Sequence, residues 1–421
     1  MTNKISIKNG RLIDPKHGLD APRDLHLADG RVAAISEPGQ APEGFSDARS
    51  IDAAGRIVCP GLVDLAAHLP GLEGELAAAV AGGVTSLACP PDGRPPLDEP
   101  GLVERLVRRT ADAGLARVLP VGALTVGLKG EALAELGSLA RAGCVAFSQG
   151  SNSPIVDTQV LLRALQYATT FGYTLFLQPQ DKFLARDGVA HDGEVASRLG
   201  LPGIPAAAES VAIATALELV RSTGARLHFT RLSSAAGVAL LQRARDEGLP
   251  VSADIGIHHL HLTDMDIGYF DSAARFNPPL RAQRDREALA AAAASGLAAI
   301  CSDHTPIDED GKALPFGEAE AGASALELLL PLTLKWAQDA RLPLATALAR
   351  ITCDPAVILG SPAGQLAAGA PADVCIFDPE ALWQVADDTL VSQGKNTPFQ
   401  GCGMQGTVTT TIVGGRVVFA A

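Results

Sequence analysis

The chain has 421 residues, 47% hydrophobic and 19% charged, with Gly and Pro spread along its whole length, a composition that excludes a disordered protein. Lys plus Arg number 34 against 47 Asp plus Glu, giving a net charge of −13 with no Lys/Arg-rich run, so nucleic acid and anionic membrane are excluded as partners. The seven cysteines are scattered, odd in number and lack CxxC spacing, which reads as small buried residues in a reducing compartment.

The N-terminal stretch MTNKISIKNGRLIDP alternates polar and apolar residues and has no basic-then-apolar signal segment. The longest uncharged stretch, between Glu287 and Asp303, is Ala-rich and shorter than the roughly 18 apolar residues that a membrane span requires. A cytoplasmic location is expected. KISIKNGRLID and DLHLADGRVAAIS place NG and DG between alternating residues, which are hairpin signals. The C-terminus returns to that style in ADVCIFDP and TVTTTIVGGRVVF. We therefore expect residues 1–55 and 361–421 to combine into one small β-sandwich domain.

Between them, over residues 56–360, short apolar runs alternate with helical segments. The candidate strands are RIVCPGLVDL (56–65), VTSLACPP (84–91), ARVLPVGAL (116–124), CVAFSQG (144–150), TLFLQPQ (174–180), ARLHFTRLS (225–233), PVSADIGI (250–257) and AAICSD (298–303). DTQVLLRALQYATTFG and AAGVALLQRARDEGLP show apolar residues three and four positions apart, closed by Gly, as amphipathic helices do. Eight β-then-α units predict an α/β fold of the (β/α)8 TIM-barrel type, with its chemistry at the C-terminal strand ends. A doubly wound open sheet is the alternative, disfavoured because no glycine-rich phosphate fingerprint follows the first strand.

PGLVDLAAHL, AGGVTSLACPPDGRPPLD, GEVASRLGLPGIPAAAES, RFNPPLR, SDHTP, TCDPAVILG and SQGKNTPFQG together resemble the successive blocks of dihydroorotase, a member of the amidohydrolase superfamily. The resemblance covers nearly the whole chain in order. It implies a metal-bearing barrel that closes carbamoyl aspartate reversibly to dihydroorotate, with metal ions polarising the carbonyl and generating hydroxide. An aspartate at the end of strand eight shuttles the proton.

The ligand positions that the resemblance implies are mostly replaced. The first strand of active members ends in His-x-His followed by a substrate-binding Arg; here those positions hold Ala66, His68 and Pro70. The acidic ligand of strand four is Gln149, the His of strand five is Gln178, and the His of strand six is Arg231. A guanidinium is always cationic, cannot ligate a metal and repels one. On strand eight Asp303 and the adjacent His304 remain. Among substrate positions, an Asn is replaced by Asp92 and a loop His by Ile307, while Asn277 and the Phe316-Gly317 pair persist.

Each surviving residue also has an ordinary structural explanation. His68 alone is best read as a hydrogen-bonded pocket residue. In HHLHL, the adjacent His258 and His259 of a regular strand point to opposite faces and cannot share an ion, so a structural role is expected there, with His261 nearby. Asp303, at the mouth of a barrel whose metals are lost, leaves a stranded anion, and Arg231 is placed to replace the missing dication in a charge-assisted pair.

The expected function is a non-catalytic dihydroorotase-like subunit without zinc. The resemblance implies a role as structural partner of aspartate carbamoyltransferase in pyrimidine synthesis, in a hetero-oligomer built on a homodimer of this chain. The competing expectation is an active amidohydrolase with an altered single-metal site around His68, Asp303 and nearby histidines.

Overall fold

The structure is a computed structural model that describes residues 4–150, 155 and 157–421. Eight parallel strands form its centre: β1 (Leu62–Asp64), β2 (Val84–Cys89), β3 (Arg117–Ala123), β4 (Ala146–Ser148), β5 (Thr174–Leu177), β6 (Arg226–Phe229), β7 (Val251–Gly256) and β8 (Ala299–Cys301). Each expected barrel strand is found, and each neighbour pair is parallel and in sequence order. Helices such as Leu72–Ala81 after β1, Thr158–Phe171 after β4 and Leu329–Asp339 after β8 return the chain to the next strand or close the outer layer.

The seam between β1 and β8 closes beyond the strand ends. A parallel bridge joins Ala67 to His304, with His304 N donating to Ala66 O at 3.1 Å and His68 N donating to His304 O at 2.9 Å. At the opposite end the Arg350 and Ile351 carbonyls accept from Ile300 N and Val63 N at 3.0 and 2.9 Å. This closure carries His68 and Asp303 to the same rim.

Strand alternation divides the apolar residues between two layers. Val63, Val121, Ala146, Phe176 and Cys301 fill the lumen, whereas Leu62, Leu175, Leu177, Phe229 and Ile300 pack outward against the helices. The helix Thr158–Phe171 shows why its segment winds as it does: Leu161, Ala164, Leu165 and Ala168 form one buried stripe. Asp157 accepts from Gln159 N at its start, and Gly172 ends it with φ +72°. Truncating a lumen or interlayer anchor such as fully buried Phe229 to Ala costs about 3–5 kcal/mol.

Both termini build the second domain, as expected. One sheet runs, in order, through residues 31–36, 24–28, 5–8 and 49–52; the other through 416–420, 403–413, 374–384, 57–60, 11–14 and 19–22. Ile5, Ile7, Leu12, Leu25, Val58, Val374 and Ile412 fill the space between them.

Two local expectations are corrected. Residues 56–65 are not one strand: Ile57–Pro60 pairs with residues 374–377 and 11–12 in the small domain, and only Leu62–Asp64 enters the barrel. The Asn9-Gly10 turn does not make a hairpin, because the segment after residue 52 takes the flanking backbone groups. Ala53 N donates to Lys8 O at 2.8 Å and Arg11 N to Arg56 O at 3.1 Å, so the turn carries the chain from one sheet to the other. The Asp29-Gly30 turn does join an antiparallel pair, residues 24–28 with 31–36.

Candidate functional site

At the C-terminal rim, two residues beyond the ends of β6 and β8, stand two residues with left-handed backbone, Arg231 at φ +57° and Asp303 at φ +50°. Non-glycine residues adopt this conformation when surrounding contacts enforce it. Here the contact is mutual: Arg231 Nη1 donates to Asp303 Oδ1 at 3.0 Å. Nη2 donates to Gln178 Oε1 at 2.5 Å, and Gln178 Nε2 donates onward to Asn277 Oδ1 at 3.3 Å. Arg231 N donates to Asp254 Oδ1 at 2.7 Å, fixing the strand end from below.

The pair is almost fully enclosed, with Arg231 7% and Asp303 4% exposed. Burial pushes the Asp303 carboxyl above its ordinary range, and the Arg231 guanidinium draws it part of the way back. Burial also works against the guanidinium charge, but the Asp303 carboxylate outweighs it and holds Arg231 above its ordinary value. Each charge is therefore the condition for the other.

His68 lies beside this pair. Its Nε2 is 2.9 Å from Asp92 Oδ1 and its Nδ1 3.3 Å from Thr305 Oγ1. Burial depresses the imidazole, but Asp92 more than compensates, so its pKa is raised. Ala66 contributes backbone groups, its carbonyl accepting from Ser302 Oγ and His304 N, and Pro70 is exposed. Gln149 is buried, and its Oε1 accepts from Thr125 Oγ1 at 2.8 Å.

His304, Phe316 and Ile307 are engaged in contacts apart from this centre. Ala325 N donates to His304 Nδ1 at 3.0 Å, leaving Nε2 to donate to Glu75 Oε2 at 2.9 Å. His304 is thus a fully buried tie between barrel wall and helix. Phe316 packs with Phe276, Leu280 and Ile267 in a satellite core, and Gly317 is exposed with open space about its Cα. Ile307 is buried, its N–H donating to Asn396 Oδ1 at 2.9 Å.

The segment Ile257–Leu260 is a 3-10 helix rather than a strand, which corrects the alternation expected of HHLHL. Its histidines nonetheless diverge. His258 stacks on Phe399 and tilts against Phe276, His259 Nε2 contacts Pro278 O at 3.1 Å, and His261 Nε2 contacts Leu332 O at 3.0 Å. Burial drives His259 and His261 down to about 4 and His258 well below its ordinary value.

Sequence reasoning missed the supporting carboxylates. Asp254, within SADIG, also receives His228 Nε2 at 2.8 Å inside the lumen, and Asp64 accepts from Ser302 N and Oγ at 2.7 and 2.5 Å. Burial lifts Asp64 to about 7, against the pull of Ser302. The available signal was a lone acid in an otherwise apolar strand; Glu75 in the helix LEGELAAAVA shares its turn with Glu73, and only the apolar run that follows marks it as the buried one.

A divalent ion does not fit these residues. The positions that converge on the rim present a methyl group at Ala66, neutral amides at Gln149 and Gln178, and a fixed cation at Arg231 bound to the carboxylate of Asp303. Arg and Lys supply no lone pair, and amide oxygens are poor ligands for the metals that imidazole suits. Among the described residues no group of three or more His, Cys, Asp or Glu is arranged to hold an ion.

The comparisons agree with this architecture. The dihydro-orotase-like family matches residues 55–236, and the amidohydrolase family matches residues 150–419. A dihydroorotase-like protein of Pseudomonas putida is 48% identical over 98% of both chains, and one of Pseudomonas aeruginosa 46% identical over 98% of this chain and 99% of its own. A dihydroorotase of Syntrophotalea carbinolica is 40% identical over 99% of both. In three dimensions the L-hydantoinase of Arthrobacter aurescens superposes with a TM-score of 0.87 at 25% identity, over 99% of this chain and 96% of its own. The chain belongs to the dihydroorotase-like family of amidohydrolases.

Proposed function

We propose that this chain is a non-catalytic member of its family, without zinc, whose role is structural: it assembles with aspartate carbamoyltransferase and supports that enzyme. The observation that carries the reading is the Arg231–Asp303 ion pair at 3.0 Å, extended to Gln178, at the rim where strand ends of this fold place their chemistry. A carboxylate neutralised by a guanidinium is a poor proton shuttle, and the donor set offers nothing to activate water. What the chain retains is a complete barrel, a second domain and their surfaces. The partner is the one that the dihydroorotase-like resemblance implies.

The test is co-purification from the native cell. The chain is expected to elute in a mixed oligomer with aspartate carbamoyltransferase, and its deletion is expected to lower carbamoyltransferase activity. Elution alone, with carbamoyltransferase activity intact in the deletion strain, contradicts the reading.

A further inference from the structure

The opposite, N-terminal face of the barrel carries a groove of about 520 Å3 between the starts of β4–β7 and the helix Cys353–Ile358. Tyr173, Arg226, Arg245, Leu249, Val357 and Leu359 line it. Val357 is 70% exposed although it is wholly apolar. From Tyr173 an aromatic ladder climbs the last turns of the helix Thr158–Phe171: the Phe171 ring stacks at 5.8 Å from Tyr173, and Tyr167 lies 4.7 Å from Phe171. Phe171 is 55% and Tyr167 36% exposed, and two of the three tyrosines in the chain stand in this one patch.

The charge around it runs against the rest of the molecule. Arg163 donates to Gln166 Oε1 at 3.2 Å and Arg226 to the Gly172 carbonyl. Among the described residues neither of these, nor Arg245, is paired with a carboxylate, in a chain of net charge −13. Exposed Tyr, Phe and Arg around an apolar hollow are the composition of interface centres. The overall negative charge disfavours a polynucleotide as occupant.

We propose that this groove is a protein-docking surface, and that its occupant is a segment of a partner protein carrying an apolar side chain flanked by carboxylates. The apolar side chain fills the hollow between Val357 and Tyr173, and the carboxylates pair with Arg226 and Arg245. This rests on the assembly reading above, and supplies the surface on which such assembly takes place.

The experiment titrates the full chain against aspartate carbamoyltransferase from the same cell, following complex formation by light scattering after gel filtration. The triple substitution Phe171→Ser, Arg226→Glu and Arg245→Glu alters exposed side chains and removes the Arg226–Gly172 hydrogen bond and the Phe171–Tyr173 stack, so the circular dichroism spectrum is expected to stay unchanged and the melting temperature to fall by no more than a few degrees. Kd is expected to rise by about 30-fold or more, the scale of losing an interface hot spot. Wild-type affinity in the folded triple variant overturns the surface and leaves the assembly reading standing. Failure of the wild-type chain to bind overturns both. Loss of binding on Tyr269→Ser at the other rim, with the triple variant unaffected, also overturns the surface. A fall in the self-association of the isolated triple variant assigns the groove to a second copy and overturns the proposed occupant.

Discussion

Arg231 and Asp303 close the rim of the barrel on each other: a guanidinium from the end of β6 donates to a carboxylate from the end of β8 at 3.0 Å, both from left-handed backbone and both nearly fully buried. The relationship explains how a carboxylate stays in the fold where, among the described residues, no metal-ligating set accompanies it. An internal cation does the electrostatic work.

Removing one side of the pair is therefore expected to be costly. Arg231→Met leaves Asp303 as a lone buried charge and is expected to lower stability by about 3–5 kcal/mol, measured by urea denaturation at neutral pH. Adding Asp303→Leu to that variant is expected to recover most of the loss, since the penalty belongs to the unpaired charge. Equal destabilisation by single and double variants contradicts the pair as the stabilising unit.

The neighbouring histidine gives a second test. His68 is held above its ordinary value of 6.5 by Asp92, at 2.9 Å and partly exposed, after burial has pulled it down. Because the folded value is the higher one, the stability from this contact is present below the unfolded value of about 6.5 and is lost as pH rises through the folded value. Asp92→Asn is expected to lower the His68 titration midpoint in a proton NMR titration. An unchanged midpoint contradicts the pairing.

On the acid side the signs reverse. His259 and His261 are depressed to about 4 by burial, so the unfolded chain takes up protons below about 6.5 that the folded chain refuses until about 4. Their contribution is present above the unfolded value and is lost as pH falls through that window. Asp64 works oppositely, since burial raises it to about 7 and folding favours its protonated form as pH falls. His261→Gln keeps a donor near Leu332 O, and is expected to reduce the proton uptake on unfolding near pH 5 by about one. Denaturation at pH 5 and pH 7 measures this, and an unaltered pH slope contradicts the assignment.

Restoring the metal-ligand positions is not expected to restore catalysis. A variant with Ala66→His, Gln149→Asp, Gln178→His and Arg231→His still has exposed Pro70, Asp92 engaged with His68, and buried Ile307 at substrate positions. Dihydroorotate hydrolysis by this quadruple variant is expected to remain at background. Recovery on these four changes alone contradicts the view that substrate recognition has been lost as well.

The strands were legible because lumen and interlayer residues impose apolar runs bounded by turns, and all eight appear where the runs stand. The break at Gly61 within residues 56–65 was not legible, since both halves of that run are buried and equally apolar, one in each domain. At the site, Arg231 announced itself because a permanent cation at a strand end needs a partner. Gln178 as its second acceptor did not: an amide suits many environments, and only the parallel pairing of β5 with β6 brings the two together. The HHLHL segment was misjudged in conformation because adjacent histidines carry no strong preference for strand over a tight helical turn.

The central claim is tested most directly by measuring metal content and dihydroorotate hydrolysis on the same sample of full-length chain, purified without chelator and then supplied with zinc. The account predicts substantially less than one bound ion per chain and no hydrolysis above background. Stoichiometric zinc with turnover that is lost on Asp303→Asn contradicts it.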